Sequence, residues 1–287
     1  MRARWLLLYN CQAQGLGNCL NLMCDEVEVE QYDPTGLARA RERIADALPG
    51  YDRVLVAPQL VDDEASSLDL AALGDRLVLL PTLYFSGYHP DTCYVDAGDR
   101  PLRGPLGEYH SVIAYAAYVN GLSEAQALKR YRESTYARMR YFARWDGAWR
   151  RLVASFSRHG FDLGPLRPAW ARRGPFMYTV NHPHIACLRD VASLVLERAG
   201  HKARYLDSLP ADNLANGPVI PVFPAIGTRV GCPGSQLFKR PGAYRHMTLE
   251  EFVSESYVCY RRATAHAIRP DYAELLERAR QATPEAA

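Results

Sequence analysis

The chain has 287 residues and a net charge of +2, with 48% hydrophobic and 23% charged residues. This length can bury a large core, and a charge so near neutral argues against a nucleic-acid partner. The sequence contains no apolar run long enough to cross a bilayer, and its short apolar start lacks a leader cleavage site. We therefore expect a cytoplasmic protein with no membrane span.

The first ninety residues alternate between strand and helix patterns. The predicted strands lie at 5–9, 27–32, 53–58 and 77–80, and the predicted helices at 13–24 and 36–48, with Asp33-Pro34-Thr35 as the start of the second helix. Alternation of this kind favours a parallel sheet covered by helices. The sequence therefore predicts an α/β fold with a parallel, doubly wound sheet, in a single domain over residues 1–287.

The middle of the chain changes to helical periodicity. Residues 109–159 contain no proline, and a capping box at 123–126 predicts the start of a long helix. A mostly aromatic stripe at helical spacing is formed by Tyr131, Met139, Phe142, Trp145 and Trp149. Such a stripe is more typical of a packed core than of a ligand platform. We interpret about 106–162 as a helical insertion, and residues 160–175 as a loop.

The last part of the chain returns to shorter patterns. Its predicted elements are a strand at 176–180, a helix at 185–199, a long loop at about 207–247 and a helix from 248 to about 267. Gly200 is a typical helix end, and a second capping box at 248–251 marks a helix start. The loop is rich in proline and glycine, and loops of this length are usually functional.

Two reactive side chains follow predicted strands, where open parallel sheets bind their ligands. Cys11 lies between the first strand and a helix, so the helix N-terminus should lower the pKa of its thiol, and the following amides could receive an oxyanion. His182 precedes Pro183, which suits a first helical position. A cysteine with a histidine base is a minimal pair for nucleophilic catalysis. The alternatives are a small turn residue and a helix-capping histidine.

Other polar side chains after the predicted strands are candidates for contacting substrate or an oxyanion. They are Gln12, Gln59, Ser86, His89, Asp91, Asn181 and His184. His89 and Asp91 could pair to orient substrate or assist the base. The histidines and Asp91 offer ligand types that suit zinc or iron, but their spacing matches no established site, so we predict no metal.

The arrangement resembles the SGNH hydrolase superfamily. Cys11 stands where those enzymes carry serine after strand one, and His182, followed by Pro183, matches their base before a late helix. Thr179 occupies the place of their aspartate, so a third triad member is missing or comes from elsewhere. The oxyanion motifs of the superfamily are not matched, although Gln59 follows the right strand.

A longer set of motifs is similar to the polysaccharide-biosynthesis family typified by WcbI, from bacterial capsule gene clusters. These motifs are Asn10–Ala13, Tyr84–Asp91, Gly107–Ser111, Phe176–Pro183 and Phe252–Tyr257. The resemblance covers most of the chain. It implies a coenzyme A-binding protein that O-acetylates a capsular sugar.

Acetyl-CoA carries a pyrophosphate and a 3′-phosphate, so its site needs cations and backbone donors. The long loop offers four basic side chains for this purpose: Arg229, Lys239, Arg240 and Arg245. The alternative is a solvated basic loop.

The expected activity is acetyl transfer from acetyl-CoA to a hydroxyl of a sugar, nucleotide sugar or oligosaccharide, with other capsule-biosynthesis proteins as further partners. Cys11 would either take the acetyl group as a thioester or act as a polar element while His182 activates the sugar directly. Two other functions remain open. A carbohydrate esterase would use the same pair with water as acceptor, and a non-catalytic module would bind CoA or a nucleotide sugar without turnover.

Overall fold

The computed structural model describes residues 1–62, 67–263 and 265–282 of the chain. The chain divides into two compact units. Unit 1 comprises Met1–Tyr84, Arg150–Met177 and Asn181–Ala215, and unit 2 comprises Phe85–Trp149, Tyr178–Val180 and Asn216–Ala287. Within the described ranges, no helix is long and apolar enough to cross a membrane.

The bounds of the strands and helices are as follows in chain order. The strands are β1 (Ala3–Leu8), β2 (Val27–Tyr32), β3 (Arg53–Val56), β4 (Leu77–Leu79), β5 (Thr92–Cys93), β6 (Val95–Ala97), β7 (Arg100–Pro101), β8 (His110–Ser111), β9 (Phe238–Lys239), β10 (His246–Met247) and β11 (Ala267–Ile268). The helices are α1 (Ala13–Met23), α2 (Pro34–Ala47), α3 (Pro58–Val61), α4 (Val112–Val119), α5 (Glu124–Leu128), α6 (Glu133–Arg138), α7 (Arg144–Ser157), α8 (Arg167–Arg172), α9 (Ile185–Arg198), α10 (Pro224–Val230), α11 (Leu249–Arg262) and α12 (Ala273–Ala282).

The described strands of unit 1 form a four-stranded parallel sheet in the order β2-β1-β3-β4. The inner position of β1 follows from its continuous apolar run, Trp5 to Leu8, which is buried throughout, as a strand covered on both faces requires. Leu8 pairs with Tyr32 of β2 on one side and with Val56 of β3 on the other. The predicted α/β class and parallel sheet are confirmed.

The helices α1 and α9 of unit 1 pack closely against each other. A Cβ atom on Gly15 of α1 would lie 2.7 Å from Leu188 Cδ1 and 3.2 Å from Ile185 Cδ1 of α9. A larger residue at this position would push the two helices apart. The glycine therefore permits their close approach.

Several helix boundaries that the sequence predicts are confirmed. The Asp33 side chain accepts a hydrogen bond from the Gly36 N–H at 2.7 Å at the start of α2. Gly200, with φ of +85°, follows α9 in the left-handed conformation. The Thr248 and Glu251 capping box is present at the start of α11.

The prediction of nearly continuous helix over 109–159 is wrong, because the segment is broken into the separate helices α4 to α7. The Ser123 capping box is formed, but α5 ends after five residues instead of continuing. Gly121 (φ +72°) and Arg140 (φ +56°) adopt left-handed backbone conformations that interrupt the helical path. The predicted core role of the stripe is confirmed for its buried members, Tyr131, Met139 and Trp149.

Short elements also replace the predicted loops. The segment 160–175 contains α8, and the segment 207–247 contains α10 and the antiparallel pair of β9 and β10. The last capping box opens a helix that ends at Arg262 instead of about 267, since Ala263 turns to an extended conformation. Elements of two to seven residues leave too short a periodic pattern for sequence analysis to detect.

Candidate functional site

The carboxyl ends of the parallel strands define one edge of the unit 1 sheet. The strands β2 and β3 lie on opposite sides of β1, and such a reversal of strand order opens a crevice that binds ligands. Cys11 follows β1, and Gln59 follows β3 in the first turn of α3. The topology therefore brings both side chains to this edge.

The turn between β1 and α1 is held by Asn10. Its side-chain Oδ1 accepts from the Gln12 N–H at 3.0 Å, and its carbonyl accepts from the Ala13 N–H at 2.9 Å. The Cys11 side chain is exposed on this turn. The Gln12 and Ala13 amides, which we expected to receive an oxyanion, therefore already donate to Asn10.

The pKa of the Cys11 thiol differs from our expectation. Although the side chain reaches the surface, desolvation by the surrounding protein raises its pKa to about 11. The Asp33 carboxylate raises it further, and the backbone N–H of Cys11 lowers it only in part. The prediction that the helix N-terminus lowers this pKa is wrong, and at neutral pH the residue is a thiol.

Gln12 connects the ends of three segments of unit 1. Its side chain is fully buried, and its Nε2 donates to the Leu83 carbonyl at 2.9 Å and to the Asn181 carbonyl at 3.0 Å. Its Oε1 accepts from the Leu83 N–H at 3.1 Å. Because both amide hydrogens are donated to backbone carbonyls, Gln12 acts as a positioning residue between the neighbours of Cys11 and His182.

The segment before α9 is a loop, so the predicted strand at 176–180 is wrong. The Phe176 carbonyl accepts from the His184 N–H at 2.9 Å, and an isolated bridge joins Met177 to Pro183. His184 is the residue that precedes the first turn of α9, and Pro183 lies one residue further out. The expectation that Pro183 occupies the first helical position is therefore also wrong.

The two histidines of this loop are both half-buried. Desolvation lowers the pKa of His182 to about 4 and also lowers the pKa of His184. The nearby Asp212 carboxylate opposes this shift at both residues. Each imidazole is therefore neutral at neutral pH and able to accept a proton.

Asp212 is a further polar residue at this site, and no sequence pattern predicted it. Its Oδ2 accepts from the Ile185 N–H at 2.8 Å, which caps the start of α9 beside the two histidines. Thr179, at the position of the SGNH aspartate, instead donates to the Tyr109 hydroxyl at 3.4 Å in unit 2. Asp212 lies in the long loop and carries no motif, so only the structure identifies it as the carboxylate close to His182.

The remaining candidates of unit 1 differ in accessibility. Gln59 is exposed, and its Nε2 donates to Thr82 Oγ1 at 3.3 Å after β4. Asn181 is half-buried, and its carbonyl is the acceptor for Gln12. The exposed amide of Gln59 is thus the candidate donor at the end of β3.

Ser86, His89 and Asp91 belong to unit 2, where Ser86 is half-buried and the other two are buried. The Asp91 carboxylate accepts from Ser111 Oγ, from the Tyr141 hydroxyl at 2.7 Å and from the Ile113 N–H at 3.0 Å. Burial raises its pKa to about 6 despite these bonds. The structure therefore gives Asp91 three hydrogen-bond partners within unit 2.

The four basic candidates also belong to unit 2, and each contacts an acceptor of the same unit. Arg229 pairs with Glu133 at 3.4 Å, and Lys239 Nζ donates to the Gly217 carbonyl at 3.1 Å. The other two arginines form ion pairs with carboxylates of α11, Arg240 with Glu255 and Arg245 with Glu251. The basic loop is therefore largely neutralised by neighbouring acids.

Comparisons with known proteins identify the family. The family described as polysaccharide biosynthesis enzyme WcbI matches residues 4–204. The chain belongs to this family of enzymes. A solved structure of WcbI is similar to this chain, with a TM-score of 0.69 and 18% sequence identity, over 99% of this chain and 100% of that one. It is described as the native protein without a disulfide bond between coenzyme A and one of its cysteines. At this identity the likeness shows the fold alone. No curated protein matches the sequence.

The buried hydrogen bonds of Gln12 can be tested by replacement. We expect Gln12→Ala to lower the free energy of unfolding by about 3 kcal/mol, roughly 1 kcal/mol for each of its three lost side-chain bonds. Urea denaturation measures the loss. Gln14→Ala is the matched control, because Gln14 is exposed in the first turn of α1, two residues after Gln12. Equal stability of the two variants would contradict the positioning role.

The low pKa of His182 predicts a dependence of stability on pH. As the pH falls from 6.5 to about 4, the unfolded chain binds a proton at His182 that the folded protein does not, so stability is lost over this window. We expect His182→Gln to reduce this loss and leave the stability profile above pH 7 unchanged in shape. Denaturation at a series of pH values measures it, with the exposed His246→Gln as control. Parallel curves for the two variants would disprove the assignment.

Proposed function

We propose that this polysaccharide-biosynthesis enzyme transfers an acetyl group from acetyl-CoA to a sugar hydroxyl, with Cys11 and His182 as its catalytic residues. Family membership supports the sugar-related role. The description of the similar WcbI structure refers to coenzyme A and a cysteine of that protein, which supports CoA as the donor here. The acceptor would be a sugar, nucleotide sugar or oligosaccharide of a capsule or other surface polysaccharide.

The observation that carries the proposal is the hydrogen bonding of Gln12. This side chain follows Cys11 in sequence and bonds to the carbonyl of Asn181, which precedes His182. This bond ties the segment of the proposed nucleophile to the segment of the proposed base, although the two lie far apart in sequence. Nucleophilic catalysis requires this kind of supported pair.

The pKa values favour a neutral thiol and a neutral imidazole in the resting protein. In the covalent route, His182 removes the thiol proton as Cys11 Sγ bonds to the acetyl carbon, the carbon–sulfur bond to CoA breaks, and the proton passes to the departing CoA sulfur. His182 then takes the proton of the sugar hydroxyl as its oxygen displaces Cys11, which regains a proton. Concerted proton transfer suits this pair, because no thiolate–imidazolium ion pair is formed beforehand.

In the direct route, His182 takes the proton of the sugar hydroxyl while the hydroxyl oxygen bonds to the acetyl carbon of acetyl-CoA. The carbon–sulfur bond to CoA breaks, the proton passes from His182 to the departing CoA sulfur, and Cys11 remains a thiol. Asp212 would stabilise the protonated imidazole in either route, since its carboxylate already favours the charged form of His182. Gln59, Ser86, His89, Asn181 and His184 remain proposed contacts to substrate or to the developing oxyanion.

We propose Arg229, Lys239, Arg240 and Arg245 as ligands of the CoA phosphates. The ion pairs of the three arginines are solvent-exposed, and water and salt screen such pairs. A phosphate could therefore replace the glutamates at small cost. Because the guanidinium group matches a phosphate with two parallel hydrogen bonds, the exchange is chemically reasonable.

We also propose that the sheet of unit 1 belongs to a doubly wound, SGNH-like core. The order β2-β1-β3-β4 is the beginning of the 2-1-3-4-5 order of one type of doubly wound sheet, which supports an SGNH-like core. We propose that residues 1–287 work as one domain with an insertion at about 106–162 and a functional loop at about 207–247. All seven cysteines are free thiols, in keeping with a reducing cytoplasm.

Replacement of the two proposed catalytic residues tests the activity. We expect His182→Ala to lower the rate of acetyl transfer by about 10²–10⁴-fold, the usual contribution of a general base, and His184→Ala to have a much smaller effect. Cys11→Ser should cause a severe loss in the covalent route and near-normal turnover in the direct route. Transfer is followed by release of free CoA in the presence of sugar acceptors, with Cys259→Ser as control.

Two outcomes would overturn this proposal in different ways. Acetyl-ester hydrolysis that needs His182 but no CoA would identify an esterase. CoA binding without turnover on any acceptor would identify a binding module. If His184→Ala is the inactive variant, the base has been assigned to the wrong histidine.

The accessibility and pKa of Cys11 predict its labelling by iodoacetamide. It is the exposed thiol among the seven cysteines, so we expect it to react first, with a rate that rises about tenfold per pH unit as the thiolate fraction grows. CoA should slow this labelling, and charge reversal at Lys239 and Arg240 should raise the CoA concentration needed. Peptide mapping measures the site and rate, with Cys232 and Cys259 as internal references. Labelling of Cys11 only after unfolding would refute the catalytic role.

A further inference from the structure

A cysteine, a glutamate and a histidine meet at the end of α1 in unit 1. Cys24 follows the last residue of α1, Glu26 directly precedes β2, and His201 follows the glycine that ends α9. Their possible ligand atoms all lie within 4.8 Å of one another. These residues have no part in the proposed acetyl transfer, and no sequence motif marks them.

The backbone around this group is held in place by local bonds. The Arg204 N–H donates to the Met23 carbonyl at 2.8 Å, which ties the segment after α9 to the end of α1. The Ala3 N–H donates to the Glu26 carbonyl at 2.8 Å, which ties the start of β1 to the start of β2. An ion pair between Arg204 and Asp25 lies beside the group at 2.5 Å. The segment with Cys24 and Glu26 and the segment with His201 are therefore held next to each other by backbone hydrogen bonds and an ion pair.

The side chains combine one shielded ligand with two accessible ones. The Cys24 thiol is buried, with 5% of the residue exposed, while the Glu26 side chain is 73% exposed. His201 Nδ1 and Glu26 Oε2 share a hydrogen bond of 2.7 Å, and the Trp5 ring packs edge-on against the imidazole at 5.6 Å. The contact with Trp5 limits rotation of the imidazole, as supporting residues do in metal sites.

We propose that Cys24, Glu26 and His201 bind a zinc ion. Thiolate, imidazole and carboxylate are all zinc ligands, and three protein ligands with one water complete a tetrahedral site. Zinc bond lengths of about 2.0–2.3 Å put such ligand atoms about 3.5 Å apart, within reach of small side-chain rotations. The thiolate disfavours magnesium and calcium, which prefer oxygen ligands.

Binding changes the protonation of one group. The Cys24 thiol gives up its proton to solvent as the sulfur bonds to zinc, the Glu26 carboxylate leaves its hydrogen bond with His201, and a neutral imidazole nitrogen takes the third position. One proton is released for each ion bound, so the affinity falls as the pH is lowered.

The position of the group gives the ion a structural role. The N-terminal ends of α1 and α9 follow Cys11 and His182, and their C-terminal ends lead to Cys24 and His201. A zinc ion would cross-link the C-terminal ends of these two helices, which already pack together through Gly15. It would thereby hold the helices in register at the end opposite the candidate catalytic residues.

Titration of the metal-free protein with Zn²⁺ by calorimetry tests the proposal, together with Co²⁺ as a spectroscopic probe. We expect one ion per chain, a raised melting temperature, and a thiolate-to-cobalt absorption band. Cys24→Ser should remove the band, and His201→Ala should weaken Zn²⁺ binding by at least about 100-fold, the upper range for loss of a supporting residue alone. Glu26→Gln should not destabilise the fold, since this side chain is exposed, and it should also weaken Zn²⁺ binding.

The controls are Cys259→Ser and His246→Ala, which lie outside the group. Unchanged Zn²⁺ affinity in Cys24→Ser, His201→Ala and Glu26→Gln would overturn the proposal, as would the absence of binding to the unaltered chain. Loss of the ion through Cys11→Ser or His182→Ala would move the site to the sheet edge and also overturn it. CoA-dependent protection of Cys11, measured separately, distinguishes failure here from failure of the proposed function.

Discussion

Unit 1 depends on the buried side-chain amide of Gln12. Its Nε2 donates to the carbonyls of Leu83 and Asn181, and its Oε1 accepts a hydrogen bond from the Leu83 N–H. Tyr9 makes a second tie of the same kind, because its buried hydroxyl donates to the Pro81 carbonyl after β4. Breaking these bonds would cost free energy of folding, since each buried polar group would be left without a hydrogen-bond partner. The chain after β1 is therefore held to the chain after β4 and to the loop before α9.

This arrangement has an electrostatic consequence. The packing that holds Cys11 and His182 at the sheet edge also removes water from them, and desolvation disfavours the thiolate and the imidazolium alike. The helix N-terminus beside Cys11 is too weak to reverse this effect, because a partial charge of about half a unit competes with loss of solvation. The candidate pair is neutral for this reason, and Asp212 is the group that partly favours a charged His182.

Local patterns in the sequence account for the first half of unit 1. The strand at 27–32 is predicted with both bounds correct, and α2 begins at the predicted aspartate and proline. Such features depend on neighbouring residues alone. Over 109–159 the helical spacing of the sequence continues across breaks in the backbone, because separate short helices bury their aromatic side chains in a common core. Periodicity reports which residues are buried, and it does not report whether the backbone between them is continuous.

The sequence by itself determined the parallel α/β class, the position of Cys11 between β1 and α1, and the capping boxes of α5 and α11, since each is set by residues close together in the chain. Only the tertiary structure decided what surrounds them. Gln12 meets a carbonyl 169 residues away, and Asp212 approaches the histidines from a loop without a motif. The pKa of Cys11 moves opposite to its expected direction, because desolvation sums the effect of every atom nearby, and most of those atoms come from distant parts of the sequence.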